Sequence, residues 1–170
     1  MDLRRRTATL ALAIGITLVG CASPATGPTP TPSFADADAA YAAAEATYRA
    51  YVDALNSRRG NATSEPQPNA FLTGQALENE VEAQAQLSDL SLRVIGQSVV
   101  VSFVPVTTAD TGTEVVAEVC LDSSATRVID SSGSDVTPAD RESLTPLSVT
   151  LHRLGEDWAI TDSTVGGHEC

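Results

Sequence analysis

With 170 residues, a formal net charge of −12 and a sequence pI near 4.3, the chain is sized for one domain and is acidic overall. All ten basic residues are arginine, against 22 aspartates and glutamates. Such a balance excludes a broad nucleic-acid interface, since phosphate contacts need a basic footprint, and it disfavours the domain lying on anionic lipid.

Arg4, Arg5 and Arg6 open the chain as a positive segment. Thr7 to Val19 follows as a mostly apolar run too short to span a bilayer comfortably, which reads as an export signal. Leu18-Val19-Gly20-Cys21 closes that run and resembles the lipobox of bacterial lipoproteins. The resemblance implies diacylglycerol on the Cys21 sulfur, cleavage just ahead of it, and a place on the extracytoplasmic face of the cell membrane. Several acyl chains are needed there, because a single chain anchors only marginally. The alternative is an ordinary secretory signal cut among Ala22 to Ala25. Arg4 and Arg5 leave both general and twin-arginine export open.

Removing residues 1–20 takes away three arginines and Asp2, leaving 7 basic and 21 acidic side chains and a charge of −14. With Cys21 assigned to lipid, Cys120 and Cys170 remain as an even pair in an oxidising compartment, and a disulfide is expected. A reactive thiol, or a metal site made with His168, is the alternative; the expectation here is no metal and no cofactor.

Residues 21–33 hold the lipidated cysteine and a Thr/Pro-rich stretch without a large apolar side chain, a tether that stays extended at about 3.1 Å per residue. From Phe34 to about Asn56 an Ala-rich helix is expected, with Ser33 as N-cap. Tyr41, Ala44, Tyr48, Tyr51, Val52 and Leu55 form its apolar stripe. Arg58 and Arg59 complement its C-terminal end and Gly60 ends it. A polar loop over 61–69 leads to a second helix from about Phe71 to Leu87. Leu77, Val81 and Ala85 share one of its faces, with Glu78, Glu80 and Glu82 mostly on the other and Gly74 weakening the first turn.

After Leu90 the period becomes two. Val99, Val101 and Phe103 face one way, and beyond a turn at Asp110-Thr111-Gly112 so do Val115, Ala117, Val119 and Leu121. Ser131-Ser132-Gly133 signals a hairpin and Pro138 to Pro146 a longer crossing loop. Leu147, Val149 and Leu151 then pair across Gly155-Glu156-Asp157 with Trp158 and Ile160. Helices first and sheet second imply an α+β domain over 34–170, its two helices packed on a curved antiparallel sheet.

The lipobox, the tether, Phe71-Leu72-Thr73-Gly74, Val119-Cys120-Leu121-Asp122, Asp130 to Val136 and Val149-Thr150-Leu151 with Trp158 together resemble lipoproteins and secreted proteins of high-GC Gram-positive bacteria. Their domain is similar to the nuclear-transport-factor-2-like, cone-shaped superfamily; cystatin-like domains fit the same order with one long helix. The resemblance implies a cavity, which members use for isomerisation, hydration chemistry, ligand binding or protein contact, so the fold does not name an activity.

Candidate cavity residues are Tyr41, Tyr48, Tyr51 and Asp122, phenols of this kind being able to stabilise an enolate. Asp122, Asp162 and His152 would form an acid–base set if their strands converged. Asp130 to Asp135 holds some oxygens of a calcium loop, but position twelve is Arg141 rather than glutamate, which favours a hairpin turn. No phosphate-binding glycine loop, nucleophile elbow or Cys-x-x-Cys is present. The expectation is a membrane-anchored, non-catalytic domain that binds a small molecule or accompanies another envelope protein; the alternative is a small isomerase- or dehydratase-like cavity enzyme.

Overall fold

The computed structural model describes residues 34–108 and 112–170. The expected signal over 1–20, Cys21, the tether over 21–33 with Ser33, and the turn residues Asp110 and Thr111 lie outside the described residues. Helix α1 (Phe34–Gly60) is followed by a 3-10 turn (Pro68–Phe71) and helix α2 (Gly74–Asp89). Strands β1 (Arg93–Ile95), β2 (Val99–Thr108), β3 (Glu114–Asp122), β4 (Arg127–Ile129), β5 (Leu144–Leu154) and β6 (Asp157–Val165) complete the chain. β2, β3, β5 and β6 form an antiparallel sheet in the order β2-β3-β5-β6, and β1 pairs with β4 as a separate two-stranded ribbon. The domain is α+β, with its helices ahead of its sheet in the chain.

Alanines let α1 approach the sheet closely, and its stripe is the predicted one. Ala40, Ala44, Tyr48 and Val52 are buried, with Tyr41 and Tyr51 partly buried beside them. They meet Phe103 from β2, Val115, Ala117 and Val119 from β3, Val149 and Leu151 from β5 and Ile160 from β6. The Tyr48 ring lies 6.0 Å from Phe103 and 6.1 Å from Tyr51, centroid to centroid, within the range of favourable tilted aromatic pairs.

The end of α1 is fixed by a reciprocal amide contact. Asn56 Nδ2 donates to the Ser98 carbonyl at 2.9 Å, and the Ser98 N–H donates to Asn56 Oδ1 at 2.8 Å. The turn entering β2 is thereby held against the helix. On the far side of that turn, Arg141 ties the β3–β4 connection together. Its Nη1 donates to Thr126 Oγ1 at 2.6 Å and its Nη2 to the Ser123 carbonyl at 3.0 Å.

Three expectations are corrected. α2 starts at Gly74 rather than Phe71, because Leu72 bridges to Ile160 and the Thr73 N–H donates to the Ile160 carbonyl at 2.9 Å. The chain is thus still extended along β6 where the helix was expected. α2 turns only part of the expected face inward: Leu77 packs against the core beside buried Ala76, whereas Val81 is 50% exposed and Ala85 is exposed. Glu80 leaves the outer face and meets Arg58 at 2.6 Å. The Arg58–Glu80 ion pair turns a charged residue inward, which a search for apolar periodicity does not mark.

In β2, Val100 and Phe103 face the core while Val99 and Val101 are each 58% exposed. The register shifts between Val100 and Ser102, and this extra residue reverses the alternation that the sequence implies. β5 begins at Leu144, so Pro146 lies in a strand, opposite Cys120, rather than in the crossing loop. Cys120 and Cys170 form a disulfide with Cα atoms 5.5 Å apart, drawing the tail back to the sheet. The Gly166 N–H donates to the Pro146 carbonyl at 2.8 Å and guides it there.

Candidate ligand-binding groove

Two clefts open between the helices. The smaller, about 180 Å³, lies where α1 and α2 meet β6 and is lined by Tyr48, Tyr51, Ala76, Glu80 and Ile160 among others. Burial pushes the Tyr48 phenol up to about 12. Tyr51 is raised as well, first by burial and then by the neighbouring Glu80 charge, against the opposing pull of Arg58 and Arg59. Both phenols are neutral donors at ordinary pH. Neither hydroxyl has a protein hydrogen-bond partner among the described residues, and both residues line the cleft.

The other expected cavity residues stand apart. Tyr41 packs beside the core without lining this cleft. Asp122 lies outside it, at the end of β3, opposite the exposed Val99. Its carboxylate accepts the Ser124 N–H at 2.7 Å, and that bond together with the Ser124 hydroxyl holds it below the usual carboxylate range. His152 Nε2 meets Glu114 Oε2 at 2.8 Å, opposite the other end of β3, and Asp162 pairs across from Thr150. Strand alternation turns all of them away from the helices, so the acid–base set is not assembled. Asp130 Oδ1 accepts the Ser132 and Ser134 N–H groups at 2.8 and 2.9 Å, as a hairpin turn requires.

The larger groove, about 630 Å³, runs between the C-terminal half of α1, α2 and β1. Leu55, Ala83, Leu87, Leu92 and Val94 supply its apolar wall, and Arg58, Arg59 and Arg93 enter it. The Arg58–Glu80 ion pair separates the clefts, with Glu80 lining both. Gln84 Nε2 donates to the same Glu80 oxygen at 2.7 Å.

Arg59 has no carboxylate in contact among the described residues. Its Nη1 donates to Asn56 Oδ1 at 3.1 Å and to Ser98 Oγ at 2.9 Å; its Nε and Nη2 make no such bond and are not sealed. Burial, with Arg58 and Arg141 nearby, lowers its pKa, against the pull of Tyr51 and Glu80. Arg93 is exposed and makes no ion pair or hydrogen bond among the described residues. The sequence assigned Arg58 and Arg59 to the helix dipole; their shared groove with Arg93 depends on a contact 34 residues further along the chain.

No protein-family model and no curated protein matches this chain. Among solved structures, it is similar to the intermembrane-space region of the chloroplast protein ARC6, at 15% identity and a TM-score of 0.48, covering 71% of this chain and 94% of that one. It is also similar to a putative polyketide cyclase from Xanthomonas campestris pv. campestris, at 19% identity and a TM-score of 0.38, covering 74% of this chain and 90% of that one. Likenesses at these scores carry no statement about activity. Among the described residues, no helix is long and apolar enough to cross a membrane.

Proposed function

We propose that the chain is an exported lipoprotein, held by lipid on Cys21 at the outer face of the cell membrane, whose nuclear-transport-factor-2-like domain binds an amphipathic anion in the larger groove without transforming it. The observation that carries the ligand class is Arg59, a partly buried guanidinium that lines a groove with an apolar wall, has two nitrogens without a hydrogen-bond partner and has no carboxylate in contact among the described residues. At an effective dielectric near 20, an anion about 4 Å away gains about 4 kcal/mol of Coulomb energy before desolvation. Leu87, Leu92 and Val94 offer the hydrocarbon part of the ligand a surface. This favours a small molecule over the envelope-protein partner that the sequence left open.

Absence of catalysis is supported by Glu80, the carboxylate lining the tyrosine cleft, being tied to Arg58 and Gln84. One observation favours the cavity enzyme: Tyr51 and Glu80 share that cleft. Turnover of a small carbonyl compound that Tyr51→Phe abolishes would establish the enzyme instead.

Calorimetric titration of the purified domain with decanoate and with the matched alcohol decanol tests the binding. Decanoate is expected to bind at least about tenfold more tightly, and Arg59→Ala to remove the difference. Arg93→Ala, at an exposed residue, is expected to weaken decanoate in the same direction without disturbing the fold. Equal binding of acid and alcohol overturns the groove assignment. For the anchor, Cys21→Ala should move the protein from the membrane to the medium, and mass spectrometry of the cell-derived protein should find acyl chains on its first residue.

A further inference from the structure

The tail beyond β6 gathers three metal-ligating side chains on the sheet face away from the helices. The sulfurs of Cys120 and Cys170 and an imidazole nitrogen of His168 all lie within 4.8 Å of one another. Cys120 is 5% exposed yet stands outside the helix-side core, since Val119 before it and Leu121 after it point to the helices. His168 Nε2 is sealed from solvent and has no hydrogen-bond partner. The ring occupies space that only a glycine leaves: a Cβ on Gly166 would fall 2.7 Å from His168 Nδ1 and 2.8 Å from Cε1. Gly166 is itself fixed by its bond to Pro146. A backbone cradle therefore seats an unsatisfied imidazole beside the two sulfurs.

We propose that the Cys120–Cys170 pair has a second, reduced state in which both thiolates and His168 bind one cation of the zinc class. A dithiol supplies two electrons and two protons, becoming a disulfide itself; the Cys120–Cys170 bond breaks and two thiols form. A divalent cation then displaces the two thiol protons to solvent, making two metal–sulfur bonds and one metal–nitrogen bond. Zinc–sulfur bonds of about 2.3 Å set the sulfurs roughly 3.7 Å apart in a tetrahedral site, a modest opening for Cα atoms 5.5 Å apart. Thiolates select soft and borderline cations over calcium or magnesium. Cys170 is exposed, so the fourth position is open to water. Such a reduced state departs from the sequence-based expectation of no metal.

The test reduces the full domain with dithiothreitol, removes the reagent without oxygen and titrates with cadmium, read by its thiolate charge-transfer absorbance. One equivalent is expected to saturate the reduced protein, with no band from the oxidised protein or from Cys120→Ser. His168→Ala should keep the band and lose at least about tenfold in affinity, and Gly166→Ala should shift affinity the same way by displacing the ring. No band from reduced protein that retains its circular dichroism, or unchanged affinity in His168→Ala, overturns the proposal. Should reduction loosen the sheet, cadmium is expected to restore it, and failure to do so overturns the proposal equally.

Discussion

Gly96 shows how much a single residue can decide and how little of that its neighbours announce. Its φ is +84°, and a Cβ placed there would sit 2.1 Å from the Ala125 carbonyl oxygen. The turn between β1 and β2 therefore presses directly on the β3–β4 connection. Gly96→Ala is expected to cost at least about 3 kcal/mol, read from the urea midpoint at constant slope, since both backbone strain and a backbone clash must be relieved. Gly133 has the same conformation, φ +85°, but a methyl group added there would meet nothing within 4 Å, so Gly133→Ala should cost only about 1 to 2 kcal/mol. A Gly96 variant no worse than the Gly133 variant would show that the close approach yields easily. Gly133 is legible in the sequence because Ser131-Ser132-Gly133 is itself a turn signal. Gly96 is not, because its constraint comes from a residue 29 positions away.

At the scale of elements, the Ala/Tyr stripe of α1 could be read from period alone, since one continuous face meets one sheet. α2 could not: it touches β6 through its first turns and then borders a groove, so apolar Val81 stays in water while charged Glu80 turns inward to Arg58. Tyr48→Ala should therefore cost about 3 to 5 kcal/mol, whereas Val81→Ala stays within about 0.5 kcal/mol. Tyr48 also gives the fold an alkaline limit. Its pKa rises from 10.0 in the unfolded chain to about 12 in the folded one, so below pH 10 both states hold the proton and the full contribution is present. Between those values the unfolded chain releases a proton that the folded one keeps, and stability falls with rising pH. The loss is on the order of 2 to 3 kcal/mol for this residue. Unfolding free energies of the parent and of Tyr48→Phe, compared from pH 9 to 11, should show the smaller decline in the phenylalanine variant; parallel declines would mean that Tyr48 does not carry the effect.

For the molecule as a whole, the expected Cys120–Cys170 bond is the most far-reaching feature that could be read without geometry. The groove is the opposite case: Arg58 and Arg59 reach it from a helix and Arg93 from a short strand that the period-two pattern does not mark. Only packing brings them together. The disulfide also governs how the tail and sheet unfold together. It joins positions 50 apart across β5 and β6, the two strands that complete the sheet beyond β3. Breaking it releases the tail that covers Cys120 and lets the unfolded chain expand. The loop-entropy relation gives about 4 kcal/mol for a loop of this length, an upper value because the unfolded chain keeps residual structure. Cys170→Ala is the cleaner variant, since it leaves the buried Cys120 sulfur in place and removes only the exposed partner. Its urea midpoint should fall by an amount equivalent to about 2 to 4 kcal/mol, and dithiothreitol should lower the parent to the same level while leaving the variant unchanged. A variant as stable as the oxidised parent would mean that pairing within the sheet, not the covalent link, holds the C-terminal strands.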